Sequence, residues 1–249
     1  MDKVIISAAL TGAITPKEIT PFVPYTPEEI ANDAYECYKA GAAIVHLHMR
    51  DEKGHGTMDK ALFKKTTDLI KEKCDIVMNL TTSGDAHAGS EERMAHLIEL
   101  KPEMASFDAG SFNWMPIDVF MNSPQFLEKL SRVMFEHDIK PEIEIFDSGM
   151  IHNASYYIKK GLIKTPAHYR SFSVFSARPV QRLTIWCILR TSCPRTPHGP
   201  LSVSAKPISL SCMRPLHWAA MFVWVWRIIY ITIKTSWPQT LNWLKELQE

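Results

Sequence analysis

The feature that most constrains the fold is a regular alternation of apolar runs and amphipathic segments through the first 170 residues. Strand-like and helix-like segments follow each other in five units of about 35 residues each. Such alternation is typical of a parallel sheet with right-handed helical crossovers. The predicted strands are Val4–Leu10, Ala42–Met49, Ile76–Leu80, Met104–Phe107 and Glu142–Phe146. The predicted helices begin near Thr26, Met58, Ser90, Pro124 and Ala154, with Thr26 and Ser90 as N-caps.

Five or more such units fit either a doubly wound sheet or a (β/α)8 barrel. The glycine-rich phosphate turn of a dinucleotide fold is absent after the first strand, where Thr11-Gly12-Ala13 stands instead. Polar residues end several predicted strands, and a barrel places its functional residues at that end. The sequence therefore predicts an α/β fold, a (β/α)8 TIM barrel. The polar residues at strand ends are His46, His48, Asn79, Thr81, Ser106, Asp108, Glu142 and Glu144.

Charge and cysteine content exclude several classes of protein. The formal net charge is +1, with both signs interspersed, which argues against a nucleic-acid binder. No uncharged apolar run of about 18 residues marks a membrane span. The start of the chain runs directly into an apolar segment, so we expect no signal peptide. Five cysteines without C-x-x-C spacing predict a reduced, cytoplasmic protein.

Composition changes abruptly near residue 170. Residues 1–170 hold 25 of the 27 acidic residues and nine of the ten glycines. Residues 171–249 hold two acids, Glu246 and Glu249, together with six of the seven tryptophans and seven prolines. A segment so poor in acids and glycine is unusual for a domain that needs turns and a charged surface. We therefore divide the chain into a barrel portion, 1–170, and an anomalous segment, 171–249.

The sharpest local motif is His46-Leu47-His48, near the end of the second predicted strand. Side chains at i and i+2 of a strand point to the same face, so both imidazoles would project together into the barrel mouth. Two such imidazoles suit a divalent metal ion, most often zinc. The alternative is that one histidine binds a neighbouring carbonyl and the other is incidental.

Glu142 and Glu144 also share one strand face. Two acids that point into a barrel require a cation or a metal as partner, unless one of them lies at the exposed rim. A hydroxyl-rich loop follows the third predicted strand, where its side chains and backbone N–H groups would bind a carboxylate or an oxyanion. An ordinary polar loop is the alternative. The loop consists of Thr81, Thr82, Ser83 and Gly84. We expect five other histidines to be solvated: His55, His87, His96, His137 and His152.

Four blocks of sequence resemble the β-keto acid cleavage enzymes over about residues 3–169. The blocks are A-A-L-T-G-A (Ala8–Ala13), G-A-A-I-V-H-L-H-M-R (Gly41–Arg50), L-K-P-E-M-A-S-F-D-A-G-S-F-N (Leu100–Asn113) and P-E-I-E-I-F-D-S-G-M (Pro141–Met150). The resemblance implies a zinc-binding (β/α)8 barrel, usually a homo-oligomer. It also implies a retro-Claisen-type reaction, in which a β-keto acid and acetyl-CoA give acetoacetate and a new CoA thioester.

The resemblance also implies roles for single residues. His46 and His48 match the two histidine ligands of zinc. Thr81 and Ser106 match hydroxyl groups near the substrate, and Glu142 matches an acid that orients a catalytic arginine. Where the member of the family that recognises an amine has a glutamate, this chain has Ile14. A buried isoleucine would not pair with an ammonium group, so we expect a β-keto acid other than 3-keto-5-aminohexanoate to be possible.

The resemblance stops where the composition changes. The family motif G-G-H-V-R-V-G-x-E-D-N, which supplies an arginine and a third zinc ligand, is absent from the written chain. When 219–229 is back-translated and read in another frame, its codons permit G-G-H-V-R-V-G-L-E-D-N. We interpret 171–249 as translated out of frame from near Tyr169–Ser173, which would disrupt the last barrel strands. From the chain as written we expect weak or no zinc binding and no turnover.

Two further interpretations stay open. An amidohydrolase-like metal hydrolase also uses H-x-H in a barrel, although normally on the first strand. A defective or membrane-associated remnant is the other, and the apolar stretch Trp218–Ile233 is its support. That stretch is short for a membrane span and carries Arg227.

Overall fold

The computed structural model describes residues 5–85, 87–114, 118–171, 224–225 and 228–232, with side chains up to Arg170. Five helices lie between the strands in these ranges. The helices are α1 (Pro27–Lys39), α2 (Lys60–Lys73), α3 (Glu92–Leu100), α4 (Pro124–Glu136) and α5 (Gly149–Lys159). The strands of the main sheet are β1 (Ile5–Ala9), β2 (Ile44–Leu47), β5 (Val77–Leu80), β6 (Met104–Asp108), β9 (Lys140–Ile145), β10 (His168–Ser171), β11 (Trp224–Val225) and β12 (Ile228–Thr232). Two short hairpins join β3 (Met49–Arg50) to β4 (Gly56–Thr57) and β7 (Phe112–Trp114) to β8 (Asp118–Phe120).

The main sheet has the order β10-β9-β6-β5-β2-β1-β12-β11. Its described strands pair in parallel, except that β11 pairs antiparallel with β12. Cα atoms of the two edge strands, β10 and β11, come within 8 Å of each other, so the sheet curls towards a cylinder. The predicted α/β fold of the TIM-barrel type is thereby confirmed. Most of 171–249 lies outside the described residues, and the out-of-frame interpretation stays a proposal.

Local sequence explains where the helices begin. Thr26 and Glu29 form a reciprocal capping box at the start of α1, as the sequence predicts. At α5 the Asp147 carboxylate accepts hydrogen bonds from the backbone of Gly149 and Met150. These bonds satisfy the first N–H groups of the helix, which therefore begins five residues before the predicted start. The predicted cap Ser90 is wrong, because α3 begins after Glu91 and has no side-chain cap.

The core lies between the helices and the outer face of the sheet. Its largest fully buried side chains include Phe63, Leu97, Phe107 and Leu130. Helix α4 shows the expected period, with Phe126, Leu127, Leu130 and Met134 buried on one face. Of the described helices, none combines the length and the apolar character needed to cross a bilayer.

Candidate functional site

The interior of the curled sheet is polar at the carboxyl ends of its strands. His46 of β2 and Glu142 of β9 meet there, with the His46 Nδ1 atom 3.4 Å from the Glu142 Oε1 atom. Two strands, β5 and β6, separate them in the sheet. In a flat sheet three strand spacings would hold the two backbones about 14 Å apart. The contact therefore crosses the interior of the cylinder, which is where a barrel places functional side chains.

The two histidines of the H-x-H motif converge on one point. His46 lies in β2, and His48 follows directly after its last residue, Leu47. Their Nε2 atoms lie 3.0 Å apart, with the rings tilted by 52°. Two nitrogen ligands of a tetrahedral zinc ion are separated by about 3.3 Å. The pair thus has nearly the spacing that a shared metal ion requires.

The other nitrogen of His46 faces polar partners. The Asn79 side-chain amide lies 3.1 Å from Nδ1, beside the carboxylate of Glu142. Burial raises the pKa of Glu142, but hydrogen bonds from His168 and His46 and the charge of Arg170 outweigh it, leaving this pKa well below its usual range. A hydrogen bond from Nδ1–H of His46 to the ionised Glu142 would keep the ring proton on Nδ1 and leave the lone pair of Nε2 directed at His48. This arrangement is typical of a histidine that binds a metal.

Strand β10 adds two basic side chains to the site. The Arg170 guanidinium donates through Nη1 to both Glu142 and Glu144, at 3.3 Å each. The His168 Nε2 atom lies 3.6 Å from the other oxygen of Glu142. Both glutamates are buried, and the Arg170 guanidinium partly compensates their charge. Neither His168 nor Arg170 is among the candidate residues predicted from the sequence. Their i, i+2 spacing in H-Y-R is the signal that would have revealed them.

A second carboxyl pair lies beside the first. Asp108 and Glu144 are directly opposite each other in neighbouring strands β6 and β9, and both are buried. Burial raises the pKa of Glu144 well above its usual range; Arg170 opposes this, while Asp108 and Glu142 add to it. Burial also raises the pKa of Asp108, against the charge of Arg93. The interior thus holds one firmly ionised carboxylate, Glu142, and a neighbouring pair that resists full ionisation.

These side chains include a group that could bind a metal ion. Ligand atoms of His46, Glu142 and Glu144 all lie within 4.8 Å of one another, and all three residues are buried. These three residues offer imidazole and carboxylate ligands, which zinc and related divalent ions accept; His48 lies on the Nε2 side of His46, outside this group. The donor set therefore fits a divalent cation. The site residues predicted as metal ligands, His46 and His48, are brought together by the fold.

The hydroxyl-rich loop after β5 is closely tied to β6. The Ser106 hydroxyl accepts from the Thr82 backbone N–H at 3.0 Å, and the Thr82 hydroxyl donates to the Ser106 carbonyl at 3.0 Å. The Thr81 hydroxyl accepts from the backbone N–H of Ser83 at 3.0 Å and also contacts its hydroxyl. Thr81, Thr82 and Ser106 are fully buried, whereas Ser83 is partly exposed. Ser83 is consequently the loop residue whose side chain faces open space.

An open cavity of about 500 Å³ adjoins this loop. Ser83 and Gly84 line one side, and the β1–α1 loop, which includes Ile14, lines another. Ile14 is 53% exposed, which corrects the expectation that it is buried. Its side chain belongs to the wall of the cavity rather than to the core. Aromatic side chains of Tyr25 and Trp114 contribute to the same wall.

The five histidines expected to be solvated differ in their burial. His55, His87 and His152 are exposed, as expected, and His137 is half-buried. His96 is fully buried and stacks on Phe63, with the ring centroids 4.1 Å apart, so the expectation that it is solvated is wrong. The reason is its position on the face of α3 that packs against α2, which the local sequence does not distinguish from an exposed face.

The fold and the site define an α/β-barrel protein whose polar interior could hold a metal ion next to an open cavity. The family model of the beta-keto acid cleavage enzymes matches residues 3–221, and the chain belongs to that family. The H-x-H motif, the hydroxyl-rich loop and Glu142 all lie within the matched residues.

Comparisons with individual proteins support the family assignment. The chain is 44% identical over 170 residues to a 3-keto-5-aminohexanoate cleavage enzyme of Fusobacterium nucleatum, which covers 68% of this chain. It is 36% identical over 186 residues to a 3-dehydrocarnitine:acetyl-CoA trimethylamine transferase of Rhizobium meliloti, which covers 66% of this chain. In both comparisons the chain spans 62% of the relative's length. A solved ternary complex of ObcA with a C4-CoA adduct and oxalate superposes with a TM-score of 0.56, at 25% identity, over 60% of this chain and 37% of that one.

Proposed function

We propose that this chain carries the active site of a zinc-dependent β-keto acid cleavage enzyme. The reaction transfers an acyl group: a β-keto acid and acetyl-CoA give acetoacetate and the CoA thioester of the remaining acyl group. The observation that carries the proposal is the convergence of the His46 and His48 Nε2 atoms, 3.0 Å apart, beside a hydroxyl-rich loop in a member of this family. The names of two relatives, a 3-keto-5-aminohexanoate cleavage enzyme and a 3-dehydrocarnitine:acetyl-CoA trimethylamine transferase, support a reaction between a keto acid and acetyl-CoA.

His46 and His48 would hold the metal ion, with Glu142 fixing the tautomer of His46 from the opposite side. A bound divalent ion polarises a keto oxygen as a Lewis acid, which favours attack at that carbonyl and cleavage of the neighbouring C–C bond. Glu142 would also orient a cationic side chain towards the reacting carbonyl. In the described structure the cation on Glu142 and Glu144 is Arg170.

The loop after β5 would bind the carboxylate of the substrate. Ser83 presents its hydroxyl group to the cavity, while Thr81 fixes the turn that carries Ser83. Thr82 and Ser106 hold this turn against β6 through two hydrogen bonds. Thr81, Thr82 and Ser106 therefore act in substrate binding by positioning Ser83 and Gly84, because their own side chains are buried.

The written sequence of 171–249 lacks the arginine and the glutamate that the family motif supplies. We therefore propose that full activity belongs to the reading frame corrected by a single base near codons 169–173. Sequencing the gene across codons 165–180 tests this directly. An uninterrupted frame whose codons do not permit the family motif would refute it.

Mass spectrometry of the reaction products tests the function. Each protein, as written and frame-corrected, is incubated with Zn²⁺, acetyl-CoA and a panel of β-keto acids. We expect the corrected protein to form acetoacetate and a new CoA thioester in equal amounts, and the written chain to form neither. Hydrolysis of amide substrates without any dependence on acetyl-CoA would instead support the amidohydrolase-like interpretation. Size-exclusion chromatography of the same samples tests the predicted homo-oligomer.

A further inference from the structure

Arg50, at the end of β3, is almost fully buried and donates four hydrogen bonds. The acceptors are all backbone carbonyls, three in the β1–α1 loop and one in the β3–β4 hairpin. Nε donates to Gly12 at 2.7 Å, Nη1 to Gly54 at 2.7 Å, and Nη2 to Thr15 at 3.1 Å and Thr11 at 3.5 Å. A single side chain thus joins two loops at the mouth of the barrel.

A guanidinium group suits this task better than any other side chain. Its five N–H groups lie in one plane with fixed directions, so one Arg50 reaches carbonyls on both sides at once. A lysine ammonium has three donors and no fixed plane. The carbonyls that Arg50 binds come from irregular loop segments, where no helix or sheet partner would otherwise satisfy them.

Tyr25 packs against Arg50 and also contacts the β1–α1 loop. Its ring centroid lies 5.2 Å from the Arg50 guanidinium carbon, and its hydroxyl accepts a hydrogen bond from the Lys17 backbone at 2.9 Å. Gly54 has a φ of +82°, and a Cβ atom there would lie only 2.5 Å from Tyr25. The tip of the hairpin is therefore packed directly against the loop that Arg50 binds.

The joined segments form a wall of the cavity beside the site. Ala13 and Ile14 of the β1–α1 loop line it together with Arg50 and Gly54, opposite Ser83 and Gly84. The loops also meet at Gly56, where a Cβ atom would collide with the Gly84 carbonyl oxygen and approach Ala13. A shift of the β1–α1 loop would consequently change the shape of the cavity next to Ser83.

We propose that Arg50 is a positioning residue, which holds the β1–α1 loop against the β3–β4 hairpin and so fixes the wall of the substrate cavity. That the occupant of this cavity is a substrate rests on the function proposed above. The fixation of the loop itself does not depend on that function and is tested separately.

Limited trypsin digestion of the full chain, followed by mass spectrometry, measures how readily the β1–α1 loop and the β3–β4 hairpin open. Arg50→Ala and the milder Arg50→Lys are compared with wild type, and Arg132→Ala, on the exposed face of α4, is the matched control. We expect cleavage after Lys17 and Lys53 to become about tenfold faster in Arg50→Ala, since each lost bond to a charged donor favours opening of the loop. Added methylguanidinium should slow this cleavage again, whereas methylammonium should not.

Cleavage after Lys160, remote from the cavity, distinguishes a local effect from loss of the fold. If it accelerates by the same factor as cleavage after Lys17, or if neither changes, the positioning role is overturned.

In the frame-corrected enzyme we expect Arg50→Lys to raise KM for the keto acid about tenfold with kcat changed by less than about threefold. A fall in kcat with KM unchanged would overturn the link to the cavity. Absence of turnover in the corrected wild type would contradict the proposed function and leave the trypsin result standing.

Discussion

The Glu142 Oε1 atom lies 3.4 Å from His46 Nδ1, across the interior of the curled sheet. Two strands, β5 and β6, separate the strands that carry these residues. This single contact links the predicted metal ligand His46 to the buried charge of Arg170 and to the side chains of Glu144 and His168. Because Glu142 is fully buried, its negative charge depends on Arg170 and on the hydrogen bonds with His168 and His46. The same carboxylate therefore supports both the fold and the orientation of His46.

Replacing Glu142 with glutamine should destabilise the protein by about 3 kcal/mol or more, because Arg170 loses a buried anionic partner. The pKa of Glu142 is lowered in the folded protein, so its contribution is present at neutral pH and is lost as the pH falls through that lowered value. Urea unfolding of wild type and Glu142→Gln at pH 7 and in acid measures both effects. The difference between the two proteins should shrink as the pH falls.

Glu128 provides the control for this prediction. It pairs with Lys160 and Arg132 at the surface, where solvent screens ion pairs and they contribute little to stability. Glu128→Gln should therefore leave the urea midpoint nearly unchanged. Equal destabilisation by both substitutions would mean that the buried charges do not form the network described here.

Metal binding should depend on both histidines of the H-x-H motif. We expect untagged protein to bind about one equivalent of Zn²⁺ weakly, because the described ligands are two imidazoles with buried carboxylates nearby. His46→Ala and His48→Ala should each lower the affinity by more than about tenfold. Competition with a chromophoric chelator measures the affinity. The exposed His55 is the matched control, and binding that survives both site substitutions would place the metal elsewhere.

Ser106 should stabilise the hydroxyl-rich loop. Ser106→Ala removes the acceptor of the Thr82 N–H, which is buried, and an unsatisfied buried donor costs about 1–3 kcal/mol. Thermal unfolding followed by circular dichroism measures the loss. Ser148→Ala is the control, since Ser148 is exposed and makes no capping bond. A midpoint that shifts equally in both variants would contradict the assigned role.

The sequence predicts five of the six main-sheet strands up to β10, because each of the five is a short run rich in apolar residues between helix signals. Strand β10 is not predicted. The helix boundaries at α1 follow from Thr26 and Glu29, whose capping chemistry is local. The start of α5 is missed because Asp147, before the apolar pattern begins, satisfies its first N–H groups. The hairpins β3–β4 and β7–β8 are missed because two- and three-residue strands carry too little periodicity to be recognised.

The candidate site likewise contains residues that the sequence indicates and residues that only the fold brings in. His46, His48 and Glu142 are predictable because a period of two places residues on one strand face. Arg170 and His168 require knowledge of which strand lies beside β9, and that is a property of the sheet order. The local sequence also does not show which face of a helix is covered by a neighbouring helix, as His96 illustrates. Its burial depends on the packing of α3 against α2 through Phe63.

That buried imidazole predicts a pH dependence of stability. Burial lowers the pKa of His96 to about 4, against an opposing contribution from the Thr81 backbone. Its ordinary value in the unfolded chain is about 6.5, so the unfolded chain binds a proton first as the pH falls. Stability is therefore complete above about pH 6.5 and declines towards pH 4. Between pH 7 and pH 5 the loss from this one group should be about 2 kcal/mol.

His96→Leu isolates this contribution, because leucine fills a similar volume and does not titrate. Urea unfolding at pH 7 and pH 5 should show a smaller pH dependence in the variant than in wild type by about 2 kcal/mol. His152→Leu, which changes an exposed histidine on α5, should keep the wild-type dependence. If His96→Leu keeps it as well, the acid sensitivity has an origin other than His96, whose imidazole is then protonated with little cost in the folded state.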